Sequence, residues 1–503
     1  MRLFFIILSL ILTLLTGSCR NDFDFSPSSG NLEFSKDTVY LDTVFTNIGS
    51  STYNLKVYNR SNNNIVIPKI RLQRGDNSNY RLMVDGMSGK EFQNVEILAK
   101  DSIFIFVETT IDYNQFANQD NTYLYTDKIE FDSGSNYQKV ELVTLVQDAI
   151  FLYPSRDNNG VYENLVIDGI DQPIYGFVLD ENDPINGNEL IWTNQKPYVI
   201  YGYAAVPSTK TLQIQEGSRI HFHDSSGIIV APNASINAQG TIQNPIVLEG
   251  DRLEPQFSQT PGQWGGIWLN SNSNNNNINN TIIKNATFGI MADLSELNLN
   301  NVQIYNMSHF GILARSATID GFNVVINKCG QSALACTIGG SYSFVHSTIA
   351  NYWGGYRQFP SLLIDNTYQT LNGFVPMNAS FENCIIFGKN NIELLFNKAE
   401  NSTFNYNFTN CMFRFIDLGN QFTNNPLYNF DDQNIYQNCI IVHNSSLNHK
   451  VDFVDPEQNN LQILDTSDAA NNANSNFSHT SDILGNPRSG VTQDIGAYNH
   501  IVP

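Results

Sequence analysis

Asn280-Thr281-Ile282-Ile283, Asn301-Val302-Gln303-Ile304 and Asn323-Val324-Val325-Ile326 repeat one phrase, polar at its first position and aliphatic at its last. His346-Ser347-Thr348-Ile349 is a degenerate copy. Asn383-Cys384-Ile385-Ile386, Asn410-Cys411-Met412-Phe413 and Asn438-Cys439-Ile440-Ile441 continue the series. The closing residues lie 21, 22, 23, 37, 27 and 28 positions apart. Such a period suits one coil of a parallel β-helix, in which short strands and turns close a loop that the next coil covers. One coil cannot bury its apolar positions; a second, stacked about 4.8 Å away, sets like side chains on like. Aliphatics then pile up inside and amides form ladders along the turns. Asn285, Asn306 and Asn351 each follow a closing Ile by two places, as a turn ladder requires, whereas Asn327 falls one place early. The 37-residue interval implies an insertion of about ten residues between Tyr352 and Met377, since coils lengthen only at their turns. Leucine-rich repeats are excluded, because no Leu-x-x-Leu-x-Leu pattern recurs.

Composition agrees with an all-β chain. Only 15% of the 503 residues are charged, so Asn, Ser, Thr and Gln must supply the polar surface. Asn favours turns over helix interiors, while 23 Tyr and 32 Phe lean towards strands. The net charge of −21 argues against nucleic acid, which needs a basic stripe to displace counterions. It also disfavours long-range steering of polyanions.

From Asn31 the text changes to short alternating strands: Thr38–Leu41, Tyr53–Tyr58, Ile65–Ile67, Ile103–Val107 and Val140–Val146. Period-two alternation with no 3.6-residue pattern predicts a β-sandwich over residues 31–150. Phe45, Gly49 and the strand ending at Asn59 resemble the first hairpin of the immunoglobulin-like modules of bacterial surface proteins. A spacer or presentation role follows from that resemblance more readily than a binding one.

The N-terminus reads as an export signal. Arg2, the apolar run Leu3–Leu15 and Thr16-Gly17-Ser18-Cys19 resemble a lipobox, which implies cleavage before Cys19 and its acylation. Thr16 departs from the aliphatic usual there. Asp22 and Asp24 resemble the acidic surface-export signal of Bacteroidetes lipoproteins, or belong to a plain linker over residues 20–30.

Further on, Thr211–Ile220, Gly227–Val230, Gly240–Leu248 and Trp264–Ile267 resemble the opening coils of right-handed parallel β-helix repeat lipoproteins of Bacteroidetes. Phe288-Gly289-Ile290 and Phe310-Gly311-Ile312 fit the same pattern. Phe453–Pro456, Asp482–Arg488 and Asp494–Tyr498 resemble the closing segment, with Asn499 where Glu is usual. The resemblance spans residues 195 to 500. It implies an all-β chain: signal peptide 1–19, linker 20–30, immunoglobulin-like sandwich 31–150, connecting segment 151–195 and right-handed parallel β-helix 196–503. It also implies a monomer tethered to the outer membrane through its N-terminal lipid, facing either the cell surface or the periplasm.

Fold does not assign chemistry, since β-helices host lyases, hydrolases and non-catalytic surface proteins alike. A lyase needs a base and a carboxylate neutraliser; the main cations of the helix region are Lys284, Arg315, Lys328, Arg357, Lys389, Lys398 and Arg414. Asp431-Asp432 is the only adjacent Asp pair, and His309-Phe310-Gly311 only distantly echoes a hydrolase His-Gly. Asp180-Glu181-Asn182-Asp183 with Glu189 offers oxygen ligands for Ca²⁺ but misses the EF-hand spacing, so no cofactor is expected, Ca²⁺ being the one alternative. His221 and His223 share a strand face without a third ligand in sequence. Cys384, Cys411 and Cys439 fill one slot in successive coils, a stack of small buried groups rather than a metal set. Cys329 and Cys336 are close enough in sequence to pair. The best recognition candidates are Tyr352, Trp353, Tyr356 and Arg357, since rings beside a cation suit a sugar; packing of that loop on the helix is the competing account. Two functions remain: a non-catalytic surface protein presenting an Asn-rich β-surface to glycans, or a polysaccharide lyase or hydrolase working on the helix flank.

Overall fold

The computed structural model describes residues 24–112, 122–167, 170–371, 373–443, 449–477, 480–488 and 493–502. Two compact units divide the chain at residues 148 and 149. Cys19 and the export signal lie outside the described residues.

The first unit is a pair of sheets closing on one core. One sheet runs Ser26–Pro27, Ile65–Leu72, Thr122–Phe131, Gln138–Gln147, Thr38–Phe45, with Glu91–Ile97 also on Ile65–Leu72. The other runs Glu33–Phe34, Tyr53–Tyr58, Ser102–Thr109, Tyr80–Val84, Met87–Gly89. Alternate residues point inward, so Val39, Leu41, Leu55, Val57, Ile67, Ile105 and Leu142 are all buried together. Two expectations fail here. Thr38–Phe45 and Tyr53–Tyr58 lie in different sheets and form no hairpin. Nor is residues 20–30 all linker: Ser26 and Pro27 pair in parallel with Ile65 and Val66, and buried Ser28 donates to Asp132.

The second unit is a parallel β-helix. An 18-stranded and a 10-stranded sheet enclose one continuous core. Ile283, Ile304, Ile326, Ile349, Ile386, Phe413 and Ile441 stand one above another through successive pairings. Opposite them, Ile267, Ile290, Ile312, Leu334, Leu362 and Leu394 form a second column. The solenoid begins earlier than residue 196. Ile150–Leu152 pairs with Tyr198–Ile200, Gly176–Val178 with Tyr203–Ala205, and Ile191–Trp192 with Gln213–Ile214. Residues 151–195 therefore supply coil, not connection.

The tetrads mark a corner. Their first residues, Asn280, Asn301, Asn323, His346, Asn383, Asn410 and Asn438, all have φ between 45° and 55°. Asn enters this left-handed region more easily than other side chains, so one residue bends the strand from one face to the next. In earlier coils a longer turn does the same job between Thr211–Gln215 and Arg219–Phe222. The corner amides form a ladder: Asn323 donates to Asn301 at 2.8 Å and Asn301 to Asn280 at 3.0 Å.

A second ladder starts with Asn306 donating to Asn285 at 3.1 Å. In the next coil register puts Lys328 opposite Asn306, with φ 56°. Asn459 of the C-terminal segment fills the vacant rung, donating to Asn306 and accepting from Asn327. Asn351 is not at this corner. It ends the strand Thr348–Asn351, buried, and its side-chain oxygen accepts from the Cys329 amide.

The 37-residue coil places its extra length in two loops, residues 352–361 and 366–376, around Leu362–Asp365. The second carries a small hairpin, Gln369–Thr370 with Gly373–Phe374. The C-terminal segment covers one outer face. Phe453, Leu461, Ile463, Ile483, Ile495 and Ala497 pack on outward-facing Tyr305, Val325, Ala350, Ile385 and Met412.

Candidate functional site

The aromatic ledge assembles only in part. Tyr356 is 92% exposed, but Tyr352 is half-buried with its ring edge-on to Phe453 at 5.9 Å. Trp353 is also half-buried. Arg357 points inward: its guanidinium donates to Glu393 at 2.6 Å, to the Asn351 carbonyl at 3.3 Å and to the Phe359 carbonyl at 2.5 Å. Side-chain exposure is 2% for Arg357 and 0% for Glu393. Glu393 further accepts from the Ser361 amide, the Ser361 hydroxyl and the Asn390 amide. Arg357 thus staples the loop to the next coil and is not available to a ligand.

Other candidate cations are engaged as well. Lys284 meets Glu249 at 2.7 Å, Arg315 grips Asp293, Lys389 meets Glu457 at 2.6 Å, and Lys328 donates to the Glu457 carbonyl. The carboxylates of Asp180, Asp183 and Glu189 close their own turn by accepting Asn182, Ile185, Asn186 and Asp180 donors. Cys384, Cys411 and Cys439 do stack: the Cys384 amide donates to the Cys411 sulfur at 3.4 Å, and Cys411 neighbours both others. Cys329 and Cys336 are free thiols, not a pair.

Two surfaces emerge: one joins His221, His223 and Lys284 to acidic partners that the sequence did not point to, and the other is a column whose residues it did not single out. The first is a charged cluster outside the early coils. Register sets His221 beside Glu249, and Lys284 next in line. His221 lies 3.8 Å from Glu249, and His223 is 2.7 Å from Asp251 with the Tyr201 ring tilted against its own at 4.5 Å. Burial pushes the His221 imidazole below its ordinary value, against the pull of Glu249. Burial also raises the Glu249 carboxyl, but His221, Lys284 and Arg219 outweigh it and hold it below the ordinary carboxylate value.

The second is flat and almost uncharged. Gln213, Asn237, Asn277, Asn298, Asp320, Ser343, Ser380 and Asn407 occupy one outward position on eight successive rungs. None is buried. At about 4.8 Å per rung the column runs for roughly 34 Å. Its amides interlock, Asn237 donating to Gln213 at 2.7 Å and Asn298 to Asn277 at 3.1 Å. Flanking outward positions add Gln239 and Asn279, the latter donating to the former at 2.8 Å. Every second residue of these strands turns inward, which fixes the outward ones on a stiff lattice.

Residues 184–296 match a family model described as a pectate-lyase-like β-helix domain. The matched stretch holds the whole charged cluster and the first three rungs of the amide column. No curated protein matches the chain.

Proposed function

We propose that the protein is a lipid-anchored surface protein that binds glycan along its amide column and does not turn it over. The carrying observation is the eight-rung outward column from Gln213 to Asn407. Amides and hydroxyls both donate and accept, matching the hydroxyls of an extended polysaccharide, and their fixed positions reduce the ordering cost of binding. The pectate-lyase-like match supports a carbohydrate-related role at the level of the family. Acylation at Cys19 would tether the chain, and the sandwich of residues 31–150, read as immunoglobulin-like, would serve as spacer. Binding of the chain after Cys19 to a panel of plant and algal polysaccharides tests the reading. An Asn237→Ala/Asn277→Ala/Asn298→Ala variant should lose at least tenfold in affinity while keeping its fold. Unchanged binding by that variant, or release of unsaturated products or reducing ends by the parent, would overturn it.

One observation favours the rival. His223 is half-exposed and its Nδ1 faces Asp251 at 2.7 Å, the arrangement that orients an imidazole as a general base. A carbohydrate-active enzyme built on this cluster would lose its turnover in His223→Ala and Asp251→Asn.

A further inference from the structure

The chain leaves the strand Met412–Arg414 and returns to the last coil at Tyr436–Gln437 and Ile440–Val442. The intervening segment is rich in Asn and aromatic residues. Its rings pack onto the end of the solenoid core: Phe415 lies 4.8 Å from Tyr428 and 5.1 Å from Phe430, and Phe422 lies 4.8 Å from Tyr428. A cap at this place is required, since the last coil would otherwise expose its apolar interior.

The cap does more than cover. It borders an open hollow of about 520 Å³ lined by Phe422, Tyr428, Phe430, Asn424, Asn429 and Asp431 among others. That volume falls among those of small-molecule sites. Phe422 and Phe430 are only half-buried, so ring surface faces the space, while Asn424, Asn429 and Asp431 stand exposed on its rim.

The walls are held from several sides. Asp417 accepts the Gln421 and Phe422 amides at 3.0 and 2.8 Å, and Asn425 accepts the Leu427 amide at 3.0 Å. Tyr406 and Tyr436 both donate to the Leu427 carbonyl, and the Phe396 amide donates to the Tyr428 hydroxyl at 2.9 Å. A pocket so tied exists before any ligand arrives.

We propose that this pocket is a second binding site, at the end of the solenoid, for a short stretch of neutral glycan. A pyranose has an apolar C–H face for the rings and hydroxyl donors for amide oxygens and a carboxylate. Among the described residues the lining contains the carboxylates of Asp417 and Asp431 with His443 and no Lys or Arg, so anionic sugars are selected against. The site stands whether or not the amide column binds.

Saturation-transfer NMR on the chain after Cys19 tests it, with cellotetraose, xylotetraose and mannotetraose as neutral probes and tetragalacturonate as the anionic one. At least one neutral probe should bind, with tenfold or greater loss in Phe422→Ala and in Asn424→Ala/Asn429→Ala. The second variant alters only exposed amides, so its loss cannot come from an unfolded cap. Asn298→Ala should leave this binding unchanged. Failure of all neutral probes, equal binding of tetragalacturonate, or indifference to both pocket variants overturns the proposal. Loss in Asn298→Ala instead would also overturn it, and leave the amide column standing.

Discussion

The Arg357 guanidinium meets the Glu393 carboxylate at 2.6 Å in a place where neither is exposed. The pair ties the loop of residues 352–361 to the coil above it. Removing one partner of a buried pair strands the other charge and costs about 3–5 kcal/mol. Arg357→Ala should therefore lower the denaturation midpoint and open residues 352–361 to limited proteolysis. Arg357→Met/Glu393→Gln, which leaves no charge behind and keeps a side-chain oxygen to accept from Ser361 and Asn390, should recover a large part of that loss. Equal instability of the two variants would show that the ion pair is not what holds the loop.

Asn301 both adopts φ 55° and bridges two neighbours, accepting from Asn323 and donating to Asn280. Asn301→Ala should cost about 2–3 kcal/mol, from left-handed strain on an alanine and lost ladder bonds. Asn301→Gly relieves the strain and loses only the bonds, so it should fall between wild type and alanine in a denaturant titration. A glycine variant no better than alanine would assign the whole effect to the ladder.

That ladder explains why the solenoid was legible. A corner made by one left-handed residue, Asn in every coil but that of His346, three places before an inward apolar side chain, leaves the same mark in every coil from Asn280 onward. Coils before it turn through longer segments such as residues 216–218, leave no tetrad, and so residues 151–195 read as a connection. Sites were less legible, because partners lie a whole coil apart. Glu393 is 36 positions from Arg357, and nothing local says that Arg357 turns inward. His221, Glu249 and Lys284 are 28 and 35 positions apart, and the long excursion after Gly250 hides their register. Asn459 completes a ladder from 153 positions away, beyond the reach of any repeat pattern.

Acid should loosen the charged cluster. His221 is held below its ordinary value of 6.5 by burial, so on acidification the unfolded chain takes up a proton before the folded one does. Stability from this group is present above pH 6.5 and falls until the folded imidazole titrates. Glu249, also depressed, contributes stability above its ordinary 4.5 that is lost as pH falls through its folded value. Each unit of depression is worth about 1.4 kcal/mol. Melting curves from pH 7.5 to 5 should decline less steeply for His221→Asn than for wild type. Parallel curves would remove His221 from the account.

The stacked thiols give a last test. Cys384 and Cys411 are fully buried, Cys439 at the end of the stack is half-exposed, and Cys329 and Cys336 sit in the core. Burial pushes Cys329 up to about 12 and raises Cys336 and Cys411 well above the ordinary thiol value, so the thiolate that reacts with disulfide reagents hardly forms at these positions in the native protein. On the chain after Cys19, Ellman's reagent should label Cys439 alone before unfolding and all five thiols afterwards. Space in the stack is equally restrictive, because the Cys384 amide already touches the Cys411 sulfur at 3.4 Å. Cys411→Leu should overpack the column and cost about 1–3 kcal/mol. Rapid native labelling of two or more thiols, or a Cys411→Leu protein as stable as its parent, would mean that the coils carrying Cys384, Cys411 and Cys439 are not packed on one axis.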